Sequence, residues 1–287
     1  MLRLCFICHN SAIIAKLTTF VNNASGFVYR ILLEICESTL SSCADRFRDR
    51  RVFICGDAAH LWVPFAGYGM NAGIADAMNL SWMLAGVLNG WADPNILASH
   101  EAERWPITEQ VSNYAMSTSL SLARARAEVP NDIESNAETR AALGHRMVEM
   151  HTLQFCCGGL NFGSYYDRSP IIQYDGEPAP SYTMDQFTPS TVPGCRTPHI
   201  WLADGQSLYD AVGSDYCLLR FDRSIDIRAF VDAAAHRSLP LRVLDVDRAE
   251  VCRHKLVLSR PGQHVAWRGD AVPDDPLALV DKIRGAA

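Results

Sequence analysis

Apolar residues first fall into a pattern at Arg51-Val52-Phe53-Ile54-Cys55, a short β-rich run that halts at Gly56-Asp57. Such a run predicts a buried strand delivering an acid to its carboxyl end, where ligands sit in open α/β sheets. A loop bearing Pro64, Gly67 and Gly69 follows, and then Ile74, Ala77, Leu80, Leu84 and Val87 recur at three- and four-residue steps. That spacing predicts an amphipathic helix from about Asn71 to Leu88, ended near Asn89-Gly90. Between His100 and Met150 the chain is rich in Ala, Glu, Arg and Leu, with Pro106 and Pro130 as breakers, which predicts two or three helices. From Gly158 to Thr197 the periodicity fades into Gly, Pro, Ser and Tyr, as expected of a linker or an extended surface segment. Beyond it, apolar runs at 200–202, 216–220, 241–244, 255–258 and 265–267 predict strands, with helices around 226–236 and from Pro276. This alternation describes a small α/β domain.

Length divides the chain the same way. At 287 residues it is long enough for two domains, on a prior of roughly 100–200 residues each. Residues 1–45 mix short apolar runs with Asn22-Asn23 and Gly26 and read as the remnant of a preceding domain or as unassigned. Residues 46–165 form the first expected domain, and 166–287 a linker with the second.

The net charge of −6 comes from 32 acids and 26 bases spread along the whole length. No basic stripe stands ready for phosphates or anionic lipid, so nucleic acid and membrane surfaces are not expected partners. No apolar run approaches the ~18 residues of a spanning helix, and Met1 to Lys16 carries no cleavage pattern, which points to the cytoplasm. There the ten cysteines are expected to be free thiols. Cys5-Phe6-Ile7-Cys8-His9 spells the C-x-x-C-H of c-type haem attachment, but neither an export signal nor a small helical domain accompanies it. No second pair follows at zinc-ligand spacing, and no metal site is expected. His100, His145, His151 and His236 have no partner at motif spacing and read as solvated or satisfied.

The chemistry of 52–88 suits a polyhydroxylated, anionic, planar cofactor. Asp57 at a strand end can accept from sugar hydroxyls, Gly67 and Gly69 let backbone approach a flat ring, and a helix beginning near Asn71 offers unpaired N–H groups. Spacing alone leaves open a plain turn followed by a core helix. Gly67-Tyr68-Gly69-Met70-Asn71-Ala72 also fits G-x-G-x-x-G/A, but a dinucleotide fingerprint follows its strand directly and this string does not.

At these residues the sequence resembles the class A flavoprotein monooxygenases, the para-hydroxybenzoate hydroxylase fold, and especially its phenol, 3-hydroxyphenylpropionate and polyketide hydroxylase branch. The string that carries the resemblance is Gly56-Asp57-Ala58-Ala59-His60, Pro64, Gly67 through Ala77, Asn79-Leu80 and Trp82. Glu101-Ala102-Glu103-Arg104-Trp105-Pro106 resembles the family's E-x-E-R-x-P. Pro193-Gly194-Cys195-Arg196-Thr197-Pro198-His199 and Arg260 through Arg268 resemble the thioredoxin-like tail of the phenol-hydroxylase branch, here without a C-x-x-C, since Cys195, Cys217 and Cys252 stand singly. Ala66 stands where the family usually has glycine.

The resemblance implies an α/β fold: the carboxy-terminal portion of a Rossmann-like FAD-binding domain with following helices, plus a thioredoxin-like α/β domain. It also implies FAD as cofactor and NAD(P)H as electron donor for dioxygen-using hydroxylation of a small aromatic substrate. Gly56, Asp57, Pro64, Gly67, Gly69, Met70 and Asn71 take the cofactor-binding roles, Asp57 at the ribityl chain or pyrophosphate and the Gly69-Met70-Asn71 amides at the isoalloxazine. No side chain is assigned a catalytic role, because the cofactor carries the chemistry. The family's opening G-x-G-x-x-G region and substrate domain are not recognisable here. Hence two further expectations stand beside an incomplete hydroxylase: a non-catalytic association protein, or one subunit of a split enzyme with a complementing amino-terminal subunit. A homodimer is a further possible assembly.

Overall fold

The computed structural model of the protein describes residues 42–64, 66–247 and 252–287. The Cys5–His9 motif and nearly all of the expected remnant at 1–45 lie outside the described residues. The chain divides into two compact units, the first holding the described residues as far as Ala77 together with Arg104–Phe155, the second Met78–Glu103 and Cys156–Ala287.

In the first unit, β1 (Ser42–Cys43) pairs antiparallel with β4 (His60–Leu61), and β2 (Arg48–Asp49) with β3 (Val52–Phe53). The run 51–55 is therefore not the buried strand its composition predicts. Only two of its residues pair, and the two-residue side-chain period buries Phe53 while leaving Val52 46% exposed. The acid does arrive where expected, in a 3-10 turn (Gly56–Ala58) directly after this run.

Helix α1 (Tyr68–Leu88) begins three residues ahead of the expected start. Its buried face is also offset: Ala72, Asp76, Asn79, Leu80 and Met83 are buried, whereas Ile74 is 54% exposed. Two polar side chains thus occupy the inner face, which is why the periodicity of apolar residues misplaces it. Helix α2 (Ser99–Ala127) runs through Pro106. A proline in a helix interior costs roughly 3 kcal/mol, and burial of Ile107, Val111, Ala115 and Leu122 along one face offsets that cost. Helix α3 (Ala137–Phe155) is capped by the Asn136 side chain, which accepts from Thr139 N–H. At its other end the Tyr68 and Tyr114 hydroxyls donate to the carbonyls of Gln154 and Leu153, satisfying two of the orphan acceptors every helix terminus leaves. Among the described residues no helix is long and apolar enough to cross a membrane.

The second unit is built on a four-stranded sheet in the order β6-β5-β7-β8, with β5 (Tyr216–Arg220), β6 (Leu241–Asp245), β7 (Leu256–Arg260) and β8 (His264–Gly269). β5 and β6 are parallel and the other pairs antiparallel. Alternate residues face two cores: Tyr216, Leu218, Leu256 and Leu258 pack with Phe230, Val280 and Ile283, while Cys217, Leu219 and Val257 pack with Leu208 and Val212. Strands buried on both faces read as continuous apolar runs, which is why β5, β7 and β8 are visible in the sequence, whereas β6 is only partly buried. Of the short helices α4 (Gly158–Phe162), α5 (Leu208–Val212), α6 (Arg228–His236) and α7 (Pro276–Ile283), the last two lie within two residues of their expected starts. The run at 200–202 forms no strand, only an isolated bridge from Trp201 to Ser207.

The segment from Gly158 to Thr197, expected as a linker or extended surface stretch, is packed. Ile171, Ile172, Val192 and Cys195 are buried, and Gly194 N–H donates to Val265 O while Val265 N–H donates to Cys195 O, so the segment covers the outer edge of β8. Where β8 bulges opposite Leu258 and Ser259, the freed Ala266 carbonyl accepts from Gln173 N–H.

Candidate functional site

Gly56 adopts φ +58, a left-handed conformation that glycine takes without a Cβ penalty. It lets the chain leave Phe53 and turn at once into Asp57, which is exposed. The turn rests on helix α1, where a Cβ on Gly73 would stand 3.2 Å from the Gly56 Cα. Further along, Ala66 (φ +52) and Gly67 (φ +76) are successive left-handed residues that lead into the helix. Gly69, Met70 and Asn71 then occupy its first turn, where backbone N–H groups lack intrahelical acceptors and the dipole is positive. The Asn71 amide reaches back to Gly67 O at 2.9 Å.

These elements line a half-open cavity of about 460 Å³. Five residues anticipated from the sequence line it: Asp57, Pro64, Gly67, Gly69 and Met70. Gly56 and Asn71 stand outside the lining, Gly56 behind Asp57 and Asn71 one residue beyond Met70. Four lining residues are not marked as site candidates by the sequence, Leu61, Val63, His60 and Trp62, and the rings of the last two stack 4.7 Å apart at an interplanar angle of 9°. Both are buried, and among the described residues His60 Nδ1 and Trp62 Nε1 have no hydrogen-bond partner.

Behind the wall lies an ionised carboxylate. Asp76 is fully buried and accepts from His60 Nε2 at 2.6 Å, from Arg104 Nε at 2.8 Å and from the Gly56 N–H at 3.0 Å. Burial by itself would raise its pKa. The hydrogen bond from His60, the charge and hydrogen bond of Arg104, and the Gly56 amide outweigh that and hold it below the usual carboxylate range. Because an ionised carboxylate only accepts, His60 carries its proton on Nε2 toward Asp76. The apolar periodicity of the helix gives no signal for this network, because it reads Asp76 as outward, whereas a buried acid needs a cationic partner. His100, one of the histidines without a motif partner, is likewise buried, with Nδ1 2.9 Å from Asn79 Oδ1.

Ala66 carries an expected outcome of its own. A non-glycine residue in the left-handed region costs about 1–2 kcal/mol, partly offset by the extra freedom glycine gives the unfolded chain. Ala66→Gly is therefore expected to raise the denaturant midpoint, by the equivalent of about 0.5–1 kcal/mol. An unchanged or lower midpoint would show that the loop does not hold Ala66 under strain.

Residues 38–115 match the FAD binding domain family, and residues 190–287 match the family described as aromatic-ring hydroxylase, C-terminal. An FAD-dependent monooxygenase, apdD, of Emericella nidulans is 35% identical over 239 residues, which cover 77% of this chain and 38% of that protein. Phenol 2-monooxygenase of a Pseudomonas species is 30% identical, with 84% of this chain and 46% of that protein covered. Among solved structures, the rebeccamycin biosynthetic enzyme RebC with reduced flavin superposes with a TM-score of 0.75 at 36% identity, over 85% of this chain and 47% of that one. The chain thus spans less than half the length of these relatives. With an FAD-binding segment and a hydroxylase C-terminal segment in that order, it is a homologue of the carboxy-terminal part of the FAD-dependent aromatic-ring hydroxylases.

Proposed function

We propose that this chain supplies the flavin-side half of the cofactor site in an FAD-dependent monooxygenase that hydroxylates a small aromatic substrate with NAD(P)H and dioxygen. The observation that carries this is the cavity itself. Asp57, Pro64, Gly67, Gly69 and Met70 line about 460 Å³, within the roughly 300–1,000 Å³ of ordinary cofactor pockets. The donor set fits a flavin. An exposed carboxylate can accept from ribityl hydroxyls, and the first-turn N–H groups of Gly69, Met70 and Asn71 favour the electron-rich edge of the ring. Two buried ring nitrogens without partners in the wall residues mark a wall that the described residues do not themselves satisfy. When bound, the flavin supplies the redox chemistry. The protein's part is to hold the ring, shape the pocket and exclude water.

The division into 46–165 and 166–287, the latter thioredoxin-like, belongs to the same reading, as does a cytoplasmic location. The mixed sheet with helices α6 and α7 supports it. A disulfide-exchange role does not follow: burial pushes the Cys195, Cys217 and Cys252 thiols up to about 11, far from thiolate at neutral pH.

The test is titration of the 287-residue chain with FAD, followed by flavin fluorescence. The sequence contains no G-x-G-x-x-G to clamp the ADP half, so binding is expected to be weaker than micromolar, short of roughly 8 kcal/mol. Asp57→Ala is expected to cost a further 1.5–3 kcal/mol, about the worth of hydrogen bonds to a charged group, with little change in melting. Submicromolar binding would remove the weak-binding expectation, and an Asp57→Ala chain with wild-type affinity would remove Asp57 from the site.

A further inference from the structure

Two groups in the cavity wall depend on one carboxylate that does not line the cavity. The Asp76 Oδ2 accepts both the Gly56 N–H, at the head of the turn that presents Asp57, and His60 Nε2, whose ring is stacked on Trp62. Its other oxygen is held by Arg104, so the carboxylate has little freedom to turn. The mount is tight in the backbone as well, since Gly56 takes φ +58 and lies against Gly73, one turn ahead of Asp76 on α1. Charge balances locally, with the Arg104 guanidinium 2.8 Å from the buried acid.

We infer that Asp76, locked by Arg104, is a positioning residue of the cofactor site, setting where the Asp57 carboxylate stands by holding the Gly56 amide and fixing the His60 side of the wall. The inference rests on the FAD reading above. It gives Arg104, in the E-x-E-R-x-P string, and Asp76, in the string after Gly69-Met70-Asn71, one joint task. A carboxylate that merely stabilised the fold would act on every property of the unit alike. One that acts through Asp57 has nothing left to lose once Asp57 is gone.

That difference sets the experiment. FAD affinity is measured by flavin fluorescence for wild type, Asp76→Asn, Asp57→Ala and the double variant, with amide hydrogen exchange at Gly56 as a reading that needs no flavin. Asp76→Asn is expected to weaken FAD about tenfold in the wild-type background and less than about twofold in the Asp57→Ala background. Gly56 exchange is expected to speed up while the amides of α1 keep their protection. Gly73→Ala reaches the same turn without touching a charge, because its Cβ would press on the Gly56 Cα from 3.2 Å. It is expected to show the same non-additivity with Asp57→Ala, and it carries the test should Asp76→Asn not fold. Losses that multiply in the double variants, or wild-type affinity in both Asp76→Asn and Gly73→Ala, would overturn the inference while leaving the FAD reading intact. A wild-type chain that takes up no FAD at any concentration would overturn both.

Discussion

Replacing Arg260 by methionine is expected to lower the stability of the second unit by about 3–5 kcal/mol, the cost of leaving a buried charge without its partner. Arg260 and Glu103 are both buried, and their side chains meet in a bidentate pair, Nη1–Oε1 at 2.6 Å and Nη2–Oε2 at 2.7 Å. Glu103 also accepts from Asn79 Nδ2 at 2.6 Å and from Ser169 Oγ at 2.5 Å, so its lone pairs are filled. The guanidinium lies 5.3 Å from the Trp82 ring centroid and 5.1 Å from that of Tyr166. Burial works against the charge on Arg260, but Glu103 more than offsets it, and the pKa of the guanidinium is raised. Methionine fills much of the same volume, so the loss reports the stranded carboxylate and not a cavity. Thermal melting should fall by roughly 6–20 °C, at 2–4 °C per kcal/mol for a unit of this size. Adding Glu103→Gln should recover part of it, because the second substitution removes the stranded charge. A single variant that melts within about 2 °C of wild type would show that the pair is not coupled to folding.

The same pair shows what the sequence can and cannot disclose. Strands β5, β7 and β8 are legible because both faces are buried and the runs are uninterrupted, and helix α7 because Pro276 follows Asp275, whose carboxylate caps Ala278 N–H. Helix α1 is legible in extent but not in orientation. Its inner face carries Asp76 and Asn79, and their partners Arg104 and Glu103 come from a second string 24 to 28 residues away. Periodicity treats polar residues as outward, so a helix that buries paired ones is read a fraction of a turn out of phase. The cavity residues are found through the resemblance, since spacing alone leaves a plain turn open. His60 and Trp62 escape because nothing in spacing says that a histidine and a tryptophan two residues apart will stack. The 158–197 segment is misread for the opposite reason. It has no period, yet it buries Ile171 and Ile172 and bonds to β8 at Val265 and Ala266.

That segment carries the second large effect. Gly194→Ala is expected to unfold much of the second unit at about 37 °C, with a loss of about 3 kcal/mol or more from strain and displacement combined. Gly194 has φ +98, where an L side chain is rarely found, and a Cβ there would lie 2.2 Å from the Tyr166 carbonyl oxygen and 3.3 Å from the Tyr174 ring. Neither neighbour can give way cheaply. The Tyr174 hydroxyl donates to that same Tyr166 carbonyl at 2.7 Å, and the Tyr166 N–H donates to Gly194 O at 3.0 Å. Moving Gly194 instead would break its own bond to Val265 O at 2.9 Å and uncover the edge of β8. A glycine with open space around it behaves differently: at Gly205, with φ +84, an added Cβ would meet nothing within 4 Å, so Gly205→Ala costs backbone strain alone, about 1 kcal/mol. Denaturant unfolding of the two variants side by side separates these effects. Gly194→Ala losing no more than Gly205→Ala would show that the close approach to Tyr166 is readily relaxed, and that the string from Pro193 to His199 is not fixed to the sheet by this glycine.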